Sequence, residues 1–119
     1  MTIRCVIVDD SEPFRASAQR LLTDQGIMVV ATAADSHQAI HAVEHEQPDV
    51  VLVDVGLGTE SGFDLAARIR SSPVIMVSSL APEDLTELLA ESPAIGFLPK
   101  EQLSGGAITG LLHTTSPTG

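Results

Sequence analysis

Five short runs of uninterrupted aliphatic residues, each followed by a stretch of helical periodicity, constrain this chain more than any other feature. They occupy residues 5–8, 27–30, 50–55 (broken by Asp54), 74–77 and 94–98. Rich in Val and Ile and not alternating with polar residues, they read as strands buried on both faces of a parallel sheet. Phe14, Ala18, Leu21 and Leu22 then make one helical face, behind Ser11 as N-cap and ahead of Gly26 as a stop. Ala39, Ile40 and Val43 mark a second helix that ends before Pro48. A third opens on Ser61-Gly62-Phe63-Asp64, with capping-box spacing. Leu85, Leu88 and Leu89 mark a short fourth helix entered through Pro82-Glu83-Asp84. Ala107, Ile108, Leu111 and Leu112 suggest a fifth, which Gly105, Gly106 and Gly110 weaken by about 1 kcal/mol each relative to Ala.

Five β-α units with short links predict an α/β fold with right-handed crossovers and helices on both faces of the sheet. At 119 residues the chain suits one domain. Aromatic residues are 3%, with no Trp or Tyr, so aliphatic side chains must fill the core. Six Lys and Arg against sixteen Asp and Glu give 6 − 16 = −10, a charge that opposes direct nucleic-acid binding. The single Cys5 excludes a disulfide framework and a thiolate metal cluster. No apolar run is long enough to span a bilayer, and no signal-peptide pattern opens the chain, so a cytoplasmic location is expected.

In such sheets chemistry gathers at the carboxyl ends of the strands. The first strand ends in Asp9-Asp10, the third carries Asp54, the fourth ends in Ser78-Ser79, and the fifth leads into Lys100, the only lysine. Three acids meeting within about 5 Å repel by about 3 kcal/mol per pair at an effective dielectric near 20, so a positive charge is required among them. Lys100 offers one, and a hard cation held by carboxylates, Mg²⁺, offers two. A carboxylate beside a cation can attack a phosphoryl group and become an acyl phosphate. Asp54 is the best nucleophile, standing alone at the central strand's end. Asp9 and Asp10 would hold Mg²⁺, Ser78 or Ser79 would hydrogen-bond a phosphoryl oxygen, and Lys100 would pair with Asp54 or the new phosphate.

These residues resemble a two-component response-regulator receiver domain over residues 3–113. The motifs are Val6-Ile7-Val8-Asp9-Asp10, Asp54 with Gly62 eight positions on, Pro73 through Ser79, and Gly96-Phe97-Leu98-Pro99-Lys100. The segment 96–103 is similar to receivers that carry helix-turn-helix outputs. The resemblance implies a flavodoxin-like, doubly wound, five-stranded parallel sheet of order 2-1-3-4-5. It also implies Asp54 as phosphoacceptor from a histidine kinase or phosphotransfer protein, Asp10 as direct Mg²⁺ ligand, and Asp9 as a ligand through water. The Gly56 carbonyl would complete the metal shell, Ser78 and Phe97 would be switch residues, and Lys100 the family's lysine. A receiver over 1–113, a flexible tail or linker start at 114–119, a downstream protein target, and a monomer or weak dimer are expected.

Two departures stand out. Gly58 occupies the fourth position after Asp54, where many receivers have proline, and Pro99 precedes Lys100 instead of a proline following it. Other readings fit less well. A haloacid-dehalogenase-type phosphohydrolase needs an acid two residues after its nucleophile, where this chain has Gly56; a flavodoxin-like carrier needs a glycine-rich loop where Asp9-Asp10-Ser11-Glu12 stands. A contact-only scaffold would not need the full acid set. His37, His41 and His45 recur every four residues on the second helix, the spacing of a solvated stripe and also of metal-binding pairs.

Overall fold

In the computed structural model, which describes residues 2–114, five parallel strands form one sheet. They are β1 (Arg4–Val8), β2 (Met28–Ala33), β3 (Val50–Asp54), β4 (Val74–Ser78) and β5 (Gly96–Pro99). Their spatial order is β2-β1-β3-β4-β5, the order expected. The helices are α1 (Glu12–Asp24), α2 (Ser36–Glu46), α3 (Gly62–Arg68), α4 (Thr86–Glu91) and α5 (Gly105–Thr114). A two-residue ribbon, Gly56–Leu57 against Glu60–Ser61, lies between β3 and α3. Residues 115–119, and with them the expected tail, lie outside the described residues.

Side chains alternate across the central strands, and both sides are apolar. Val6, Val8, Val51, Val53 and Met76 face α2 and α3, where Ala39, Val43, Leu65 and Ala66 complete one core layer. Cys5, Ile7, Leu52, Ile75 and Val77 face the other way, against Ala18 and Leu22 of α1 and Ile108 of α5. Burial on both faces is why these runs are uninterrupted in the sequence. Cys5 is fully buried, and that burial pushes its thiol up to about 12, so it packs as a small apolar residue. The edge strand β2 differs: it starts one residue later than its apolar run and continues to Ala33, with three of its six residues half-covered and two exposed.

The helix signals are realised with local changes. Ser11 caps α1, its Oγ accepting from the Phe14 N–H at 3.3 Å, and Asp35 caps α2 in the same way through Gln38. Ser61 caps α3 but accepts from Phe63, one residue earlier than a capping box requires. The fourth helix begins as a 3₁₀ turn, Pro82–Leu85, and α4 itself has no buried residue. The last helix forms despite its glycines. Ile108 is wholly buried, Ser104 Oγ accepts from the Ala107 N–H at 3.0 Å, and the Gln25 side chain accepts from the Gly105 N–H. No helix among the described residues is long and apolar enough to cross a membrane.

Candidate functional site

Strand register decides which residues meet. Val8 pairs with Val53, so Asp9 follows β1 beside Asp54 at the end of β3. Asp54 pairs with Val77, and Ser78 with Pro99, so Ser78 and Lys100 lie along the same carboxyl edge. Asp9 is 1% exposed, the Asp54 side chain 13%, and Asp10 is exposed. One oxygen from each of these three acids lies within 4.8 Å of the others.

Lys100 answers this charge in a way the sequence reading did not anticipate. Its Nζ is 2.8 Å from Asp9 Oδ2 and 3.6 Å from Asp54 Oδ2, so Asp9 is the tighter partner. The reason is solvation. Asp9 Oδ2 is buried away from water and has no well-aligned hydrogen bond, whereas Asp54 keeps some water contact. Burial alone would lower the Lys100 pKa, but the close ion pair with Asp9 and the charge of Asp54 hold it above its ordinary value. Asp54 is pushed up to about 6, first by burial and then by the Asp9 charge, against the opposing pull of Lys100 and a hydrogen bond from the Gly56 backbone.

Two neighbours of this cluster carried no sequence signal as site residues. Lys100 Nζ sits 4.3 Å from the centre of the Phe14 ring, a cation–π contact from the first turn of α1. Arg15, one residue on, donates to the Asp9 backbone carbonyl at 2.6 Å. Their helical spacing reads as core and surface respectively, and only the path of α1 across the sheet edge brings them in.

The β3–α3 loop is tightly specified. Gly58 has φ +65°, a value proline cannot adopt, which accounts for its departure from the common pattern. The Gly62 N–H donates to the Val55 carbonyl at 2.7 Å. Glu60 reaches across to the start of α2, accepting from the Ser36 N–H at 3.0 Å and from the Ser36 hydroxyl, and these bonds lower its pKa. The Glu60 contact ties the loop to α2 and was not foreseen.

Of the two hydroxyls at the end of β4, Ser78 is buried and Ser79 exposed. Ser78 Oγ accepts from the Leu80 N–H at 3.0 Å. Phe97 is partly buried against the α2–α3 core layer and lines a cleft of about 550 Å³ with Leu80, Ala81 and Pro99. Leu85 is buried, while Leu80 and Leu88 are half exposed, so that group of leucines is not all core. His37, His41 and His45 are exposed, and none of them belongs to the acid cluster. No peptide bond among the described residues is cis.

The donor set suits a hard divalent cation: three carboxylates, one with a buried oxygen lacking a good hydrogen bond, beside the Gly56 backbone. Thiolate and imidazole are absent from the cluster, which disfavours softer metals there.

Residues 5–107 match the family model described as response regulator receiver domain. The chain is 36% identical over 103 residues to a protein-glutamate methylesterase/protein-glutamine glutaminase of Haloarcula marismortui, covering 82% of this chain and 28% of that protein. It is 28% identical over 100 residues to the transcriptional regulatory protein PdtaR of Mycobacterium tuberculosis, covering 82% of this chain and 49% of that one. The chain thus spans half or less of these relatives' length. Among solved structures, a LuxR-family two-component response regulator from Aurantimonas superposes with TM-score 0.85 at 25% identity, over 99% of this chain and 92% of that one.

Proposed function

This chain belongs to the receiver domains of two-component response regulators, and from that premise we propose that it is a phosphoacceptor switch in which Asp54 takes a phosphoryl group from a histidine kinase or phosphotransfer protein. The observation that carries the reading is the convergence of Asp9, Asp10 and Asp54 with the single lysine at one sheet edge. An Asp54 carboxylate oxygen attacks phosphorus, the phosphorus–nitrogen bond of the donor phosphohistidine breaks, and its electron pair returns to the imidazole. Asp9, Asp10, Asp54 and the Gly56 carbonyl would hold Mg²⁺, which when bound supplies positive charge for the transferring oxygens.

The chain's own groups do the rest. Lys100 offers its ammonium to the developing charge and keeps Asp9 neutralised, while Phe14 shields its other side. Ser78 moves its hydroxyl from Leu80 to a phosphoryl oxygen, and Phe97 moves into the space vacated. A shift from 1:99 to 99:1 needs about 5.5 kcal/mol of differential contact. Charge-assisted hydrogen bonds at roughly 1.5–3 kcal/mol each reach that only if Ser78 and Lys100 both engage. The readout is altered binding of a downstream protein. In this reading the chain is not an enzyme toward external substrates; it acts in the cytoplasm as a monomer or weak dimer, without direct nucleic-acid contact.

The test is intact mass after incubation with a small phosphoryl donor, with and without Mg²⁺, beside Asp54→Asn. A Mg²⁺-dependent gain of one phosphoryl group, absent in the variant, is expected. No gain under any condition refutes the reading and leaves a scaffold that works by contact alone.

A further inference from the structure

We propose that α2 carries a second metal site, for a borderline divalent transition cation such as Ni²⁺, Cu²⁺ or Zn²⁺, built from His41 and His45. The two imidazoles are four residues apart on one helix face, the spacing at which two histidines chelate one ion. Their ring centroids are 6.3 Å apart and their planes only 18° from parallel. Both rings are exposed, so small side-chain rotations bring one nitrogen of each to a shared ion.

A second observation points to a ligand. His45 Nδ1 donates to Glu46 Oε2 at 2.9 Å, and Glu46 is itself held by Arg4, whose NH2 group lies 3.2 Å from Oε1. Metal-binding histidines characteristically give their other ring N–H to a carboxylate, which fixes the tautomer and makes the free nitrogen a better donor. His45 is prepared in this way, with Nε2 left to bind. Imidazole selects Cu²⁺, Ni²⁺, Co²⁺ and Zn²⁺ over Mg²⁺ and Ca²⁺, and water completes the coordination.

The site is separate from the acidic cluster. Arg4 opens β1 at the edge opposite Asp9, and His45 lies nine positions, about 14 Å of helix, beyond Ser36 along α2.

The test is calorimetric titration of Ni²⁺ into the full chain with Mg²⁺ in saturating excess, which keeps the acidic cluster occupied. One equivalent of Ni²⁺ is expected to bind. His41→Ala and His45→Ala should each weaken it at least tenfold, Glu46→Gln several-fold, and Ca²⁺ in place of Ni²⁺ should give no heat. The urea midpoint of each variant reports that it is folded. Unchanged Ni²⁺ affinity in the His41→Ala/His45→Ala double variant would overturn the proposal. So would loss of the heat on Asp54→Asn alone, which would place the ion in the acidic cluster, or an equal loss on His37→Ala, which would make the stripe unspecific.

Discussion

The Cβ that Gly62 lacks would stand 1.9 Å from the backbone carbonyl oxygen of Asp54. The first residue of α3 therefore lies directly against the end of the central strand, and any larger side chain must push the two apart. Gly62→Ala is expected to lower stability by about 1–3 kcal/mol, the usual range for overpacking, and to slow phosphorylation of Asp54. Gly110 is the contrast: an added Cβ meets nothing within 4 Å on the exposed side of α5. Gly110→Ala should raise stability by about 0.5–1 kcal/mol. Urea midpoints of the two variants, moving in opposite directions, check both.

Asp54 ionises at a cost to the fold. Its pKa stands at about 6 against an ordinary 3.8, with burial the main cause and the Asp9 charge the next. A carboxyl raised in this way contributes stability that is present below pH 3.8 and lost as pH rises through about 6. Asp54→Asn removes that pH dependence. The variant should match the wild type near pH 3.5 and exceed it above pH 6.5, by about 1 kcal/mol once screening by nearby water is allowed for. Adding Mg²⁺ should narrow the gap at high pH, because a cation favours the ionised carboxyl. Thermal melts across that range, with and without Mg²⁺, decide the point.

Lys100 and Mg²⁺ answer the same negative charge. Lys100→Met keeps the stem and removes the ammonium that lies 2.8 Å from buried Asp9. Leaving that carboxylate without its partner should cost roughly 2–4 kcal/mol, somewhat less than for a fully buried pair because Lys100 is 22% exposed. Mg²⁺ affinity should rise while the phosphorylation rate falls. Titrations following the melting temperature against Mg²⁺ measure the first, and intact mass over time the second.

The strands were legible because burial on both faces writes itself into the sequence as unbroken Val and Ile runs; their order was implied by the resemblance to receivers and not by the runs themselves. The edge strand β2 was misplaced at both ends, since past Val30 its half-covered Ala31 and exposed Thr32 do not extend the apolar run. The acids, Ser78 and Lys100 were legible as strand-end residues. Which acid Lys100 prefers was not, because that turns on how deeply Asp9 Oδ2 is buried, a property of the assembled edge. Phe14 over Lys100 and Glu60 on Ser36 depend on how helix and loop cross that edge, and no local spacing encodes them. The Ser104 cap on α5 was in plain view, and its neighbours Gly105 and Gly106 obscured it.

Ser78 holds the start of the β4–α4 loop through one bond, its hydroxyl accepting from the Leu80 N–H. If that hydroxyl turns to a phosphoryl oxygen on Asp54, the Leu80 amide loses its partner and the half-exposed Leu80 side chain is released toward the cleft beside Phe97. Phosphorylation should therefore speed hydrogen exchange at the Leu80 amide in the wild type. In Ser78→Ala the amide should exchange fast from the start and respond little to phosphorylation, while Asp54 still takes up the phosphoryl group. The same variant should lose most of the phosphorylation-dependent change in partner binding, because only the Lys100 contact remains and one such bond falls short of the 5.5 kcal/mol or so that a full population shift needs. Amide exchange with and without a phosphoryl donor measures this directly. A Leu80 amide that stays protected in the phosphorylated wild type would show that Ser78 does not move.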